Sequence, residues 1–187
     1  MKRFEEFCNQ SSALTAEAIE DLTSALKTAT VKKGHYLLKS GRVCRYLYFI
    51  NSGFCKTHFF KGEKEFIMRF FPEGSMFTVL DSFTQQIPAT YSIYTLEPTT
   101  YTAISYASLE ALCKKHHCLE TFFRKLNAAA SVNMMKRITE LLEDNASERY
   151  QDFLKEQAHL LQRISLGDLA SYLGITQVSL SRIRAVK

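Results

Sequence analysis

Residues 164–187 read ISLGDLASYLGITQVSLSRIRAVK, and this stretch decides how the rest of the chain is read. Ser165 with Asp168 forms a capping box, so a helix is expected from Leu166 to about Leu173. Gly174 ends it by supplying the positive φ of a turn. Thr176 suits an N-cap for a second helix, with Gln177, Val178 and Ser179 as its exposed first turn and Leu180 and Ile183 facing inward. Leu169, Ala170, Leu173, Gly174, Ile175, Leu180 and Ile183 stand where a helix-turn-helix needs a core, small or turn-forming residue, and Ala170 is small because the second helix crosses there. An ordinary helical hairpin is the bland alternative. The outward face of the second helix carries small polar residues, one valine and two arginines where a buried helix would carry leucines. Thr176, Gln177, Val178, Ser179 and Arg182, flanked by Ser165 and Arg184, are what a recognition helix offers to base edges and phosphates in a DNA major groove.

Working outward, the segment from Asn145 onward holds Arg149, Lys155, Arg163, Arg182, Arg184 and Lys187 against Glu148, Asp152, Glu156 and Asp168. The cationic excess is small, so useful affinity requires two copies binding together. A helical period from about Ala107 past Leu119 to Leu142 supplies a means. Phe123, Leu126, Ala130, Met134, Ile138 and Leu141 fall at spacings of three and four and make one narrow stripe, which fits a homodimer seam. A helix packed only on its own barrel is the other reading. Glu143-Asp144-Asn145 interrupts the period, and Asn145 with Glu148 forms a second capping box.

The amino-terminal half has a different texture. Thr15 fits an N-cap with Leu14 stapled to Ile19, opening a helix to about Lys27. From Val31, short aromatic and β-branched runs alternate with turns at Gly34, Gly41, Gly53, Gly62 and Gly74, and further strands are expected at Ala89 to Leu96 and Thr100 to Tyr106. The fold class is therefore α+β, with an antiparallel β-barrel or sandwich followed by helices. At 187 residues with 46% hydrophobic content the chain can bury a real core. It has no run of eighteen apolar residues and no charged-then-apolar leader at Met1, so a cytoplasmic protein without a membrane partner is expected. Cys8, Cys44, Cys55, Cys113 and Cys118 are too scattered for a disulfide scaffold and read as reduced thiols. The net charge of +5 leans towards a polyanionic partner.

Barrel, long helix and closing helix pair, in that order, resemble the bacterial Crp/Fnr family of transcription regulators. KKGHYLLKSGRVCRYLYFINSGF (32–54) and FFPEGSMF (70–77) look like that family's cyclic-nucleotide-binding-like barrel, a jelly roll, and LASYLGITQVSLSRIR (169–184) looks like its DNA-reading end. The resemblance implies an effector domain at 1–118, a dimerisation helix at 119–144 and a helix-turn-helix domain at 145–187. It implies a homodimer on a pseudo-palindromic operator, RNA polymerase as a further partner, and a small-molecule effector in the barrel. Departures matter here. Relatives that bind cyclic AMP carry a Gly-Glu-Leu segment and then an Arg-Ser pair, where this chain has Thr78-Val79-Leu80 and Ala89-Thr90. No lysine or arginine stands between Arg69 and Lys114, so a desolvated phosphate would lack its guanidinium, and no response to cyclic AMP or cyclic GMP is expected. The candidate effector pocket, Phe77, Val79, Phe83, Ala89, Thr90 and Tyr91, with Gln85, Gln86 and Tyr94 nearby, suits a neutral, partly apolar ligand and equally suits a filled core. At the reading head, relatives offer arginine and glutamate in the positions of Gln177 and Val178 and an arginine that Arg182 retains. Glutamine prefers adenine and valine touches only a thymine methyl, so the half-site should differ while keeping a guanine opposite Arg182. Relatives add a small β-wing after this helix, which is not expected here.

Other signals are weaker. CKKHHC, residues 113–118, places Cys113 and His117 on one helical face, but two ligands do not complete a tetrahedral shell, so no metal is assigned. Four clustered cysteines for an iron-sulfur centre are missing, and although His35, His58 or a cysteine would ligate haem, nothing selects one, so no cofactor is expected. No nucleophile, paired carboxylates or phosphate loop points to an enzyme. The rival class is a signalling or scaffold module with a nucleotide-binding-like barrel and no DNA activity.

Overall fold

A computed structural model describes residues 4, 6–8 and 13–185, so Lys187, counted above among the terminal cations, and Met1 lie outside the described residues. The chain divides into two compact units, residues 1–59 with 69–128 and residues 60–68 with 129–187.

In the first unit, α1 (Ala16–Ala25) starts where Thr15 Oγ1 accepts the Ala18 N–H at 3.2 Å. It stops short of Lys27, because β1 (Lys27–Val31) begins there. This strand lacks apolar alternation and is held by a ladder to β8 (Thr99–Ser105), in which the hydroxyls of Thr28 and Thr102 pair at 3.0 Å and those of Thr30 and Thr100 at 2.8 Å. The other strands are β2 (Tyr36–Leu38), β3 (Tyr46–Ser52), β4 (Cys55–Lys61), β5 (Lys64–Phe71), β6 (Met76–Phe77) and β7 (Ser92–Thr95). They form two four-stranded sheets of order β1-β8-β3-β6 and β2-β7-β4-β5, and every pair with a resolved register is antiparallel. The expected barrel is thus a jelly-roll-like pair of open sheets and does not close. Phe49, Ile50 and Ala103 of one sheet and Leu38, Cys55 and Ile93 of the other share one core between them.

A short helix α2 (Leu80–Gln85), not foreseen, follows β6. α3 (Tyr106–Lys115) is capped by Ser105, whose Oγ accepts the Ser108 N–H at 3.1 Å. The single helix expected from Ala107 to Leu142 breaks at His116, which is extended (φ −124°, ψ 103°), before α4 (His117–Glu143) begins. The break turns the His116 ring inward, where Nε2 lies 2.6 Å from Asp21 Oδ2 of α1. Lys115 Nζ stands 2.7 Å from the same carboxylate and 3.1 Å from Glu17. Cys113 and His117, read as sharing one helical face, therefore sit on different helices.

The second unit holds α4 from residue 129 onward, α5 (Ala146–Gln157), a 3-10 turn (Ala158–Leu160), α6 (Leu166–Leu173) and α7 (Gln177–Ala185). The Asn145 capping box is complete: Asn145 Oδ1 accepts the Ser147 and Glu148 N–H groups, and Glu148 accepts the Asn145 N–H at 2.7 Å. Tyr150, Phe153, Leu160, Leu169, Leu173 and Leu180 are buried. Among the described residues no helix is long and apolar enough to cross a membrane.

Candidate nucleic-acid interface

The α6–α7 pair is built from local hydrogen bonds. Ser165 Oγ accepts the Asp168 N–H at 3.0 Å and donates its own proton to Asp168 Oδ2 at 2.7 Å, so the capping pair closes through the hydroxyl. Gly174 sits at φ 75°, in the left-handed region the turn requires, and the Ile175 N–H bonds the Ala170 carbonyl at 3.0 Å. Thr176 caps α7 by accepting the Ser179 N–H at 3.1 Å. Leu180 is fully buried and Ile183 half-buried, which anchors one face of α7. Thr176, Gln177, Val178, Arg182 and Arg184 are exposed on the other face, with Ser165 exposed at the start of α6 and Ser179 half-buried. Val178 is 61% exposed although apolar. α7 holds no acidic residue in its first turn and two arginines in its last.

Two arginines orient this pair: Arg137, given no role in the sequence reading, and Arg149, counted there only among the cations of the segment. Arg137 of α4 donates from Nη2 to the Tyr172 carbonyl at 2.5 Å and lies over the Tyr172 ring, 4.2 Å from its centroid. Arg149 of α5 donates from Nε to the Leu173 carbonyl at 3.1 Å and from Nη1 to the Asp144 carbonyl. Tyr172 and Leu173 are the last residues of α6, so both guanidinium groups satisfy carbonyls at the negative end of that helix. Lys136 pairs with Glu156 across α4 and α5. No sequence signal marks Arg137 or Arg149, because their partners are backbone atoms 35 and 24 residues away.

Along α4 the candidate seam residues are not equivalent. Phe123 is buried in its own core and Leu126 is partly buried against it. Ala130, Met134, Ile138 and Leu141 are exposed, and so are Val132, Met135 and Leu142, the last at 80%. The exposed apolar belt is therefore broader than the narrow stripe read from sequence. The signal was available: Ala128, Ser131, Met135, Ile138 and Leu142 alternate at spacings of three and four, the coiled-coil repeat, whereas the original stripe drifts round the helix by steps of four.

Inside the sheets, Phe77, Val79, Phe83 and Ala89 are buried, Tyr91 is half-buried and Thr90 is exposed. Phe77 stacks on Phe71 with ring centroids 3.8 Å apart, and Tyr48 packs 5.9 Å from Phe77 and 5.5 Å from Tyr101. A void of about 10 Å³ beside Tyr48 and Phe49, roughly one water at most, is lined by β3, β6 and β8 with Phe4, Leu26 and Phe123, and no residue of the other sheet lines it. Phe83 is directed elsewhere, with its ring edge-on to Tyr106 of α3 at 5.3 Å. Ala89 and Thr90 are pinned to the preceding loop: the Gly41 N–H bonds the Ala89 carbonyl at 2.7 Å, and Ser40 Oγ reaches both carbonyls. Arg42 accepts the Ala89 N–H with its backbone while its side chain is exposed.

Paired antiparallel sheets with a short helix after the sixth strand and a long helix after the eighth define a class. Residues 28–116 match the family model for the cyclic nucleotide-binding domain. Over most of its length it also has the fold of Crp/Fnr regulators. It is similar to FixK2 from Bradyrhizobium japonicum at 17% identity and TM-score 0.76, over 86% of this chain and 83% of that one. It is similar to the c-di-GMP responsive global regulator CLP of Xanthomonas campestris at 16% identity and TM-score 0.71, over 91% and 90% of the two chains. A putative transcriptional regulator of the Crp/Fnr family from Eubacterium rectale matches at 19% identity and TM-score 0.73, over 91% and 82%. No curated protein sequence matches the chain.

Proposed function

We propose that this protein is a DNA-binding transcription regulator of the Crp/Fnr type that reads a pseudo-palindromic operator as a homodimer and does not respond to cyclic AMP or cyclic GMP. The observation that carries this reading is the face of α7. Gln177, Val178, Arg182 and Arg184 are exposed on a helix anchored by buried Leu180 and seated on α6, whose end Arg137 and Arg149 hold. Two copies presenting that face would span two half-sites, and the exposed apolar belt of α4 supports pairing. Phosphate recognition has no support at Ala89 and Thr90, which stand where relatives carry the Arg-Ser pair, and the neighbouring Phe77 stacks on Phe71 and packs beside Tyr48. The fold of similar regulators supports the same reading.

Selection from random duplex DNA tests it. The expected product is a two-fold-related site with adenine opposite Gln177, thymine opposite Val178 and guanine opposite Arg182, bound with an affinity that falls steeply with salt. Failure to enrich any sequence, with no retardation of DNA even at low salt, would leave the signalling-module reading in its place. Calorimetry with either cyclic nucleotide should give no heat of binding, and micromolar affinity would overturn that part.

A further inference from the structure

A second cavity of the first unit lies outside the sheet interior, between α2, α3 and the first turns of α4, with a volume of about 320 Å³. Space of that size accommodates a small organic molecule. Leu47, Leu80, Phe83, Leu109, Phe123 and Leu126 make its surface largely apolar. The charged groups facing it are Glu110 of α3 and Glu120 of α4, against a single cation, Arg124. Cys113 also lines the cavity, and its thiol is pushed up to about 12, first by burial and then by the negative fields of Glu120 and Glu110. Both carboxylates therefore act on one space, and the thiol there stays neutral near pH 7. Two hydroxyls also line it: Thr78 donates its proton to the Tyr46 carbonyl at 2.9 Å and lies 3.3 Å from the Cys44 thiol, and Thr84 donates to the Leu80 carbonyl at 2.7 Å. The cavity is thus largely apolar, carries two carboxylates and two hydroxyls, and is short of positive charge.

We propose that this cavity binds a small primary ammonium ligand with a ring-sized apolar body, the ammonium held by Glu110 and Glu120 and the body lying on Phe83, Leu109 and Phe123. A three-donor cation matches paired carboxylates and hydroxyl oxygens, whereas a carboxylate ligand would meet two like charges. The site is independent of the DNA reading, and it lies at the root of α4, where an occupant touches the helix that bears the exposed apolar belt.

Saturation-transfer NMR on the full chain, without DNA, compares 2-phenylethylamine with 2-phenylethanol and 3-phenylpropanoate. The amine should bind saturably and at least about tenfold more tightly than the alcohol, with no binding of the acid. Glu110 and Glu120 are exposed, so Glu110→Gln with Glu120→Gln should fold and should lower amine affinity at least about tenfold, to that of the alcohol. In the unmodified chain, the amine should also slow alkylation of Cys113 and leave Cys118 unaffected, as read by peptide mass mapping. Equal binding of the three probes, unchanged affinity in the double variant, or unprotected Cys113 would each overturn the proposal, while operator binding would be unaffected by any of these results.

Discussion

Gly167 shows how one missing methyl bears on the exposed face of α7. A Cβ at that position would lie 2.8 Å from Gln177 Nε2, so the glycine leaves room for the Gln177 amide to fold over the first turn of α6. Gly167→Ala displaces only the far end of a flexible side chain and adds helix propensity. The melting temperature should hold or rise slightly, for a gain of up to about 1 kcal/mol. The selected base opposite Gln177 should change while the guanine opposite Arg182 stays, and a half-site identical at both positions would show that Gln177 reads nothing. Val178→Glu supplies the acceptor that valine lacks and should move preference at its position from thymine to cytosine by about 1–3 kcal/mol, measured by competition binding. Arg137→Ala removes a charge-assisted bond to the Tyr172 carbonyl and a cation–π contact. It should cost about 2 kcal/mol of stability in denaturant titration, with DNA affinity falling alongside because α6 loses its support.

At the level of elements, α4 carries an apolar belt that the chain leaves exposed. Met135→Lys with Ile138→Lys, placed where the heptad pattern centres, should give a folded monomer by light scattering. Substituting Phe123 instead would cost core stability, since that ring is already buried in its own protomer. The join between α1 and α3 answers to pH. Hydrogen bonds from Lys115 and then His116 hold the Asp21 carboxyl below its ordinary range, and Asp21 and Glu17 raise Lys115 above its own. A depressed carboxylate stabilises above its unfolded pKa and loses that contribution as pH falls through the folded value. A raised lysine stabilises below its unfolded pKa and loses the contribution as pH climbs past the folded one. Thermal melts should therefore show the Asp21 contribution intact near neutrality and fading only below the carboxylate range, with Asp21→Asn flattening the acid limb. These groups are at the surface, so the effect should be small.

For the molecule as a whole, affinity should depend on two heads acting together. The logarithm of operator affinity should fall linearly with the logarithm of salt concentration, and the monomeric α4 variant should show about half the slope, because half the phosphate contacts are lost. An unchanged slope would mean that a single head makes every contact. Much of this architecture follows from the chain alone. Thr15, Asn145, Ser165 and Thr176 mark helix starts because an N-cap joins atoms two or three residues apart, and Gly174 marks the turn because its conformation is a local property. The exposed face of α7 was legible for the same reason. Only the tertiary structure decided that KTATV forms a strand, since its support is a threonine ladder on a strand some seventy residues later. Likewise the break at His116 depends on Asp21, the seating of α6 on Arg137 and Arg149, and the direction of Phe83 on Tyr106. The sequence determined those features whose hydrogen bonds close within a turn. Which face of a long helix is buried, whether a barrel closes and where a cavity opens depend on contacts between distant segments, and these acquire their energy only when the chain is packed.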